Sequence, residues 1–101
     1  MASVRIAATK DIVQGTIREF QVDGKPIAIA NVAGNFHAVN GVCLHRGGPI
    51  GQGTLQGTVV TCPWHGWQFD VGTGKSLQNP SAGLPSFPVE VRGDEIFVEI
   101  S

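Results

Sequence analysis

Two short segments of this chain each pair a cysteine with a histidine, and they constrain the fold and function more than any other feature. Cys43 and His45 form the first pair, and Cys62 and His65 form the second. The chain holds two cysteines and three histidines in all, so nearly all of its soft side chains lie in these segments. Thiolates and imidazoles gathered in this way are typical of a metal site.

The spacing of the two pairs separates several kinds of site. It reads C-x-H, sixteen intervening residues, and C-x-x-H, with glycines nearby that let a loop curl around one centre. A structural zinc site is one interpretation, although zinc motifs usually pair like ligands, as C-x2–4-C with H-x3–5-H. A disulfide is another interpretation, and it leaves both histidines unexplained. The residues alone leave these alternatives open.

The residues around the pairs carry a family resemblance. Gly-Gly-Pro follows the first pair, and the second lies in Pro-Trp-His-Gly-Trp-x-Phe-Asp. Together they make the segment 43–70 resemble the Rieske family, most closely the soluble ferredoxins that serve bacterial aromatic-ring oxygenases. The resemblance implies one [2Fe–2S] cluster per chain, with Cys43 and Cys62 on one iron and His45 and His65 on the other. Histidine ligands raise the potential above that of all-cysteine ferredoxins.

Departures from a second Rieske type are informative. Respiratory Rieske proteins carry a further cysteine in each loop, and these two cysteines form a disulfide. They also carry serine and tyrosine hydroxyls near the cluster sulfurs. The corresponding positions here hold Gly48, Trp64, Trp67 and Phe69. Donors to a cluster sulfur stabilise the reduced, more negative state. We therefore expect a disulfide-free centre with a potential near the low end of the Rieske range, about −150 mV.

The expected fold is all-β and has one domain. Fourteen glycines and six prolines indicate many turns, and no segment shows helical periodicity over ten residues. Many short strands predict a small antiparallel sandwich or barrel. The resemblance implies the Rieske form of that fold, with a cluster-binding subdomain formed by the two ligand loops. A chain of 101 residues is too short for two ordinary domains. We therefore expect a single domain over 1–101, with the cluster-binding part at about 41–86.

Strands are predicted where β-branched and aromatic residues lie between turn signals. Asp23-Gly24 and Gly93-Asp94 are typical of hairpin turns. By resemblance, the Pro/Ser/Gly-rich segment 79–88 is the third loop that covers the cluster. The predicted strands span 4–8, 16–22, 27–32, 36–39, 54–55, 58–61, 68–70, 75–77, 88–92 and 95–100.

Composition limits the partners and the compartment. The net charge is −1, with charges of both signs along the sequence, so neither a nucleic-acid footprint nor a polybasic membrane patch is expected. The sequence contains no run of about 20 apolar residues, so no membrane span is expected. The first residues do not resemble a signal peptide. We expect a reducing cytoplasm, where cysteine is more often a metal ligand than a disulfide partner.

Residues outside the four ligands predict no catalytic site. A mononuclear catalytic iron of the two-His, one-carboxylate type needs two histidines, and only His37 remains. The dinucleotide fingerprint and the P-loop are incomplete, because Gln56 and Phe69 stand where glycines belong. We expect His37 to be an ordinary strand residue, Asp70 a turn residue, and Arg46 a residue near the exposed loop tip.

The resemblance implies a one-electron carrier, not an enzyme. It would take electrons from a reductase, expected to be flavin-dependent, and pass them to a terminal ring-hydroxylating oxygenase; a monomer is expected. One alternative is the Rieske small subunit of a larger reductase, such as nitrite reductase. A Cys2His2 zinc-binding interaction module is the alternative from a different class. For Trp64, Trp67 and Phe69 we expect core positions, unless one shields the cluster or lies at a docking face.

Overall fold

A computed structural model describes residues 2–22, 24–42, 49–64, 66–78 and 83–100 of the chain. Within these ranges the regular structure is almost entirely β, as predicted, with single 3₁₀ turns at Thr9–Asp11 and Ile50–Gln52. The described strands are β1 (Ala2–Ala8), β2 (Ile17–Val22), β3 (Lys25–Val32), β4 (Asn35–Asn40), β5 (Thr54–Gln56), β6 (Val59–Thr61), β7 (Gln68–Asp70), β8 (Ser86–Phe87), β9 (Val89–Arg92) and β10 (Glu95–Ile100).

The strands form three antiparallel sheets. The terminal sheet has the order β1-β10-β9 and joins the two ends of the chain. The central sheet has the order β2-β3-β4-β8, and the small sheet has the order β5-β6-β7. The strands of the small sheet are three residues each, and the second cysteine–histidine pair lies between β6 and β7. The expected all-β antiparallel architecture is confirmed.

Strand β3 shows why the central sheet lies between two cores. Successive side chains of a strand point to opposite faces, and both faces of β3 are buried. Ala28 and Ala30 pack in a cluster with residues of the small sheet. Ile27 and Ile29 pack on the other side, in a cluster that contains Ile96 and other residues of the terminal sheet. The short apolar run in β3 is therefore a doubly buried strand.

The predicted hairpin turns are present in the described residues. Val22 pairs with Lys25 at the end of the β2–β3 hairpin, where Gly24 has a φ of +77°; Asp23 lies outside the described residues. Arg92 pairs with Glu95 at the end of the β9–β10 hairpin. Both loops have two residues, the length that favours turns with positive φ.

Several predicted boundaries were wrong. Strand β3 begins at Lys25, and Pro26 pairs with Gln21 inside it. The predicted loop 79–88 contains β8, which pairs with Ala38 and Val39 of β4. The predicted strand 75–77 makes only isolated bridges. Strand β8 was missed because it has only two residues and follows a proline, so it shows no alternation of apolar and polar residues.

No helix in the described ranges has the length and apolar character needed to cross a bilayer.

Candidate metal centre

The second ligand loop leaves β6 at Cys62 and enters β7 after Trp67. The backbone N–H of Cys62 donates to the carbonyl of Trp67 at 2.7 Å, so a hydrogen bond joins the first and last residues of the loop. Cys62 is 1% exposed and belongs to the apolar cluster between the small and central sheets. His65 lies outside the described residues. The fold therefore holds the first predicted ligand of this loop at a fixed, buried position.

The sulfur of Cys62 has surroundings that suit a metal thiolate. The backbone N–H of Trp64 lies 3.4 Å from Sγ and donates to it. A donor of this kind stabilises negative charge on the sulfur, which is the form that binds metal. The described part of the loop thus fits a cysteine ligand of an iron–sulfur cluster.

The first ligand loop is held at both of its ends. Val42 forms an isolated antiparallel bridge with Pro49, and the N–H of Ile50 donates to the carbonyl of Gly41 at 2.9 Å. The segment 43–48, with the predicted ligands Cys43 and His45 and with Arg46, lies outside the described residues. Its two ends are nevertheless side by side, as the base of a loop requires.

The register of the small sheet brings the first two loops to one end. Thr54, which begins β5, pairs with Thr61, which ends β6. The chain reaches Thr54 from Pro49, at the end of the first loop, and leaves Thr61 for Cys62. Gly53 lies so close to the carbonyl of Thr61 that a β-carbon there would clash with it. The second loop therefore starts beside Thr54, which a single 3₁₀ turn separates from the end of the first loop.

A third segment leaves from the same end of the small sheet. The N–H of Leu77 donates to the carbonyl of Gln68, the first residue of β7, at 3.0 Å. Residues 79–82 lie outside the described residues, and the chain reappears at Gly83, which bridges to Lys75. The segment predicted to be a third loop therefore leaves the hairpin next to the second ligand loop, and the chain rejoins the hairpin at Lys75, which pairs with Asp70 at the other end of β7.

One apolar cluster supports all three loops. Ile50 follows the first loop, Cys62 begins the second, and Leu84 lies in the segment 79–88 predicted to be the third; their exposures are 0%, 1% and 4%. All three belong to the same buried cluster, together with Phe69 of β7. Sequence reasoning missed Ile50 and Leu84 as supports, although each is an isolated large aliphatic residue beside glycine or proline at a loop end.

The structure separates the three aromatic residues of the second loop and β7. Phe69 is fully buried, and Trp67 is partly buried against the same cluster, with its ring centroid 6.4 Å from that of Phe69. Trp64 is 50% exposed. The expected core positions are thus correct for Phe69 and Trp67 and wrong for Trp64.

Two further expectations concern polar residues near the site. His37 lies on β4, as an ordinary strand residue. Asp70 ends β7 and its side chain holds the turn that follows, since its Oδ1 accepts the N–H of Gly72 at 2.8 Å and that of Thr73 at 3.3 Å. Both expectations are confirmed.

Comparison with known proteins gives a family match over most of the chain. The model of the Rieske [2Fe-2S] domain matches residues 2–88. Ferredoxin CarAc of Metapseudomonas resinovorans is 36% identical over 97 residues, covering 94% of this chain and 91% of its own. The ferredoxin component of the naphthalene 1,2-dioxygenase system of Pseudomonas putida is 30% identical over 99 residues, covering 97% and 95%.

Solved structures give the same fold. The complex of reduced oxygenase and oxidized ferredoxin in carbazole 1,9a-dioxygenase contains a chain that is 36% identical, with a TM-score of 0.86 and coverage of 95% of this chain and 91% of that chain. A putative NADH-dependent nitrite reductase small subunit from Mycobacterium tuberculosis is 22% identical, with a TM-score of 0.88 and coverage of 99% and 96%. At that identity the second likeness concerns the fold alone.

Proposed function

The chain belongs to the Rieske [2Fe-2S] family, and from this premise we propose that it carries single electrons from a reductase to a terminal ring-hydroxylating oxygenase. The observation that carries the proposal is the near full-length match to a protein named as a ferredoxin and to one named as the ferredoxin component of a naphthalene 1,2-dioxygenase system. Both relatives are named for a ferredoxin role, and ferredoxins are electron carriers. The same role for this chain makes it an electron-transfer component, not an enzyme.

The proposed cofactor is one [2Fe–2S] cluster per chain. Cys43 and Cys62 would hold one iron, and His45 and His65 the other. When bound, the cluster supplies a reversible one-electron site. In the proposal the whole chain, 1–101, is a single domain, and the part at about 41–86 binds the cluster. Support comes from the donor set in the sequence and from the adjacent loop ends.

The described residues have three tasks in this proposal. Cys62 presents a buried sulfur, and the N–H of Trp64 stabilises its negative charge. The apolar cluster that contains Ile50 and Leu84 keeps water away from the inner side of the loops and fixes their ends. A rigid support keeps the ligands in place when the charge of the site changes by one electron.

The proposal extends to partners and compartment. The oxygenase partner is supported by the solved complex of a 36% identical ferredoxin with its oxygenase. A flavin-dependent reductase is the proposed donor, and the chain is proposed to act as a monomer. A reducing cytoplasm is the proposed location, because both cysteines are assigned as metal ligands and such a compartment keeps thiols reduced.

A second function within the same family is the small subunit of a nitrite reductase. The observation in its favour is the likeness to such a subunit in fold. The carrier remains the better-supported function, because the named ferredoxin relatives are more similar in sequence than that subunit.

Reconstituted electron transfer tests the proposed function. The purified protein is mixed with a flavin-dependent ferredoxin reductase, NADH and the oxygenase component of a carbazole or naphthalene dioxygenase system. We expect product formation that depends on the chain and is abolished in Cys62→Ser. Reduction of the chain without any transfer to oxygenase, together with reduction of a nitrite reductase catalytic subunit, would favour the second function instead.

A further inference from the structure

The turn that follows the first ligand loop is a compact unit that carries two glycines. It spans residues 49–53 and contains the 3₁₀ segment Ile50–Gln52. The N–H of Gln52 donates to the carbonyl of Pro49 at 3.0 Å, and the N–H of Gly53 donates to the carbonyl of Ile50 at 2.9 Å. We call residues 49–53 the exit turn. Because of its internal hydrogen bonds, a displacement of one of its residues displaces the others.

Gly51 brings the exit turn against β2, an edge strand of the central sheet. A β-carbon at Gly51 would clash with the Cβ of Glu19, and it would lie 2.7 Å from the backbone nitrogen and 2.8 Å from the Cα of Glu19. Ordinary van der Waals contact begins at 3.4 Å. Glu19 pairs with Ala28 in the β2–β3 ladder, so its backbone cannot move aside as the end of a flexible side chain could. The turn approaches β2 this closely because residue 51 has no side chain.

Gly53 brings the other end of the exit turn against the small sheet. A β-carbon at Gly53 would clash with the carbonyl oxygen of Thr61. Thr61 ends β6, the middle strand of the small sheet, and it pairs with Thr54 on one side and Gln68 on the other. Gly53 has a φ of −78°, a value that any residue adopts. Closeness to β6, and not backbone conformation, therefore requires glycine at this position.

The exit turn also forms one side of the base of the first ligand loop. Pro49 bridges to Val42 across that base, and the N–H of Ile50 donates to the carbonyl of Gly41 at 2.9 Å. Thr61, which Gly53 contacts, is followed directly by Cys62. One short turn consequently connects the base of the first loop, the central sheet and the residue that precedes the second loop.

We propose that Gly51 and Gly53 are positioning residues that set the spacing of the two ligand loops and thereby the coordination of the proposed cluster. The proposal rests on the proposed function, in which each loop supplies one cysteine and one histidine. Metal ligands must be held within about 0.5 Å of their productive geometry. In Gly51→Ala the new Cβ has to move from 2.7 Å to the ordinary 3.4 Å from the nitrogen of Glu19, a displacement of about 0.7 Å that exceeds this tolerance. Because the neighbouring strands are paired, the exit turn moves instead and displaces the base of the first loop.

Electron paramagnetic resonance of the reduced, cluster-loaded protein tests the proposal, because its g values respond to the geometry of the iron ligands. We expect Gly51→Ala and Gly53→Ala each to shift the g values from those of the unaltered protein. Substitution of residues that orient metal ligands typically costs about tenfold or more in metal affinity. Iron release to a chelator should therefore be about tenfold faster or more in both variants. Circular dichroism and visible absorbance show whether each variant is folded and loaded.

Gln52→Ala is the matched control within the same turn. Gln52 is exposed between the two glycines, so its truncation should change neither the g values nor the rate of iron release. Ile96→Ala controls for a loss of stability alone, since Ile96 is buried in the second core on the other face of the central sheet. Unchanged g values in both glycine variants, with iron release no faster than in Ile96→Ala, would overturn the positioning role and leave the proposed function standing.

Hydrogen exchange of the unaltered protein decides the matter if the glycine variants do not fold. The N–H groups of Ile50, Gln52 and Gly53 should exchange as slowly as those of β3, because a turn held between two sheets opens only with the fold. Exchange as fast as in the β5–β6 turn around Gly57 would show that the exit turn is not held and would overturn the proposal. Absence of a signal of low average g in the unaltered reduced protein would overturn the proposed function, and the positioning role with it.

Discussion

The backbone N–H of Cys62 and the carbonyl of Trp67 are joined by a 2.7 Å hydrogen bond that closes the second ligand loop at its base. Between these residues the chain must reverse direction within four residues. Gly66 makes part of that reversal with a φ of +74°. This is a backbone conformation that residues with a β-carbon adopt at a cost of about 1–2 kcal/mol.

Gly66→Ala should therefore destabilise the fold by about 1–2 kcal/mol and impair cluster retention. The matched control is Gly57→Ala in the β5–β6 turn, because Gly57 has a φ of +61° and, like Gly66, open space around its α-carbon. Thermal unfolding should show similar destabilisation in both variants. Iron content should fall only in Gly66→Ala. An equal loss of iron in the two variants would contradict a specific role of the loop.

Leu84→Ala should destabilise the fold by about 2–5 kcal/mol, the usual range for truncation of a buried leucine. Leu84 is 4% exposed in the cluster that also holds Ile50 and Cys62. Because the cluster supports the loop ends, faster release of iron to a chelator is expected as well. Ile96→Ala, in the second core on the other face of the central sheet, should lose comparable stability in urea unfolding with a smaller effect on iron release.

The reduction potential should lie near the low end of the Rieske range, about −150 mV. Phe69 stands where the respiratory type has a tyrosine by resemblance, and it is fully buried in the cluster that also contains Cys62. Phe69→Tyr should raise the potential by adding a hydroxyl donor, whereas Phe87→Tyr on β8 should leave it unchanged. Protein-film voltammetry measures both. A value above about +100 mV for the unaltered chain would refute the inference from missing donors.

The pKa of Glu90 should be depressed by its neighbour on β9. Arg92 Nη2 lies 2.7 Å from Glu90 Oε1, and this hydrogen bond, followed by charge attraction, lowers the pKa of Glu90 below its ordinary 4.5. Because the folded-state pKa is the lower one, the Glu90 carboxylate stabilises the fold at pH values above its unfolded-state pKa. This stabilisation is lost as the pH falls through the folded-state pKa. Both side chains are more than half exposed, so the contribution is small.

Carboxyl NMR titration checks this shift. In Arg92→Ala the pKa of Glu90 should return toward its ordinary value. Arg5→Ala removes the other described ion pair of the terminal sheet, between Arg5 and Glu95, and should leave Glu90 unchanged. A Glu90 pKa that is the same with and without Arg92 would contradict the account.

The sequence predicted the elements that have strong local signals. Strand β7 at Gln68–Asp70 and the hairpin around Gly93 were placed correctly, because alternation and a glycine turn mark them. Strand β8 was missed, since two residues after Pro85 carry no period. Its pairing with β4 depends on contacts between distant parts of the chain.

The candidate site also has features that the sequence predicted and features that it did not. Its donor set and spacing were readable from the sequence, and the four ligand assignments stay predictions. The exposure of Trp64 was not readable, because Trp64 and Trp67 share the same local motif and only tertiary packing distinguishes them. The near absence of charge between Pro26 and Val89 was readable from the sequence.

Electron paramagnetic resonance combined with iron and sulfide analysis tests the central claim most directly. The account predicts a reddish-brown protein with two iron and two sulfide ions per chain. It also predicts a signal of low average g that appears only on reduction, and its loss in Cys62→Ser. A colourless protein that contains zinc and gives no signal when reduced would contradict the account.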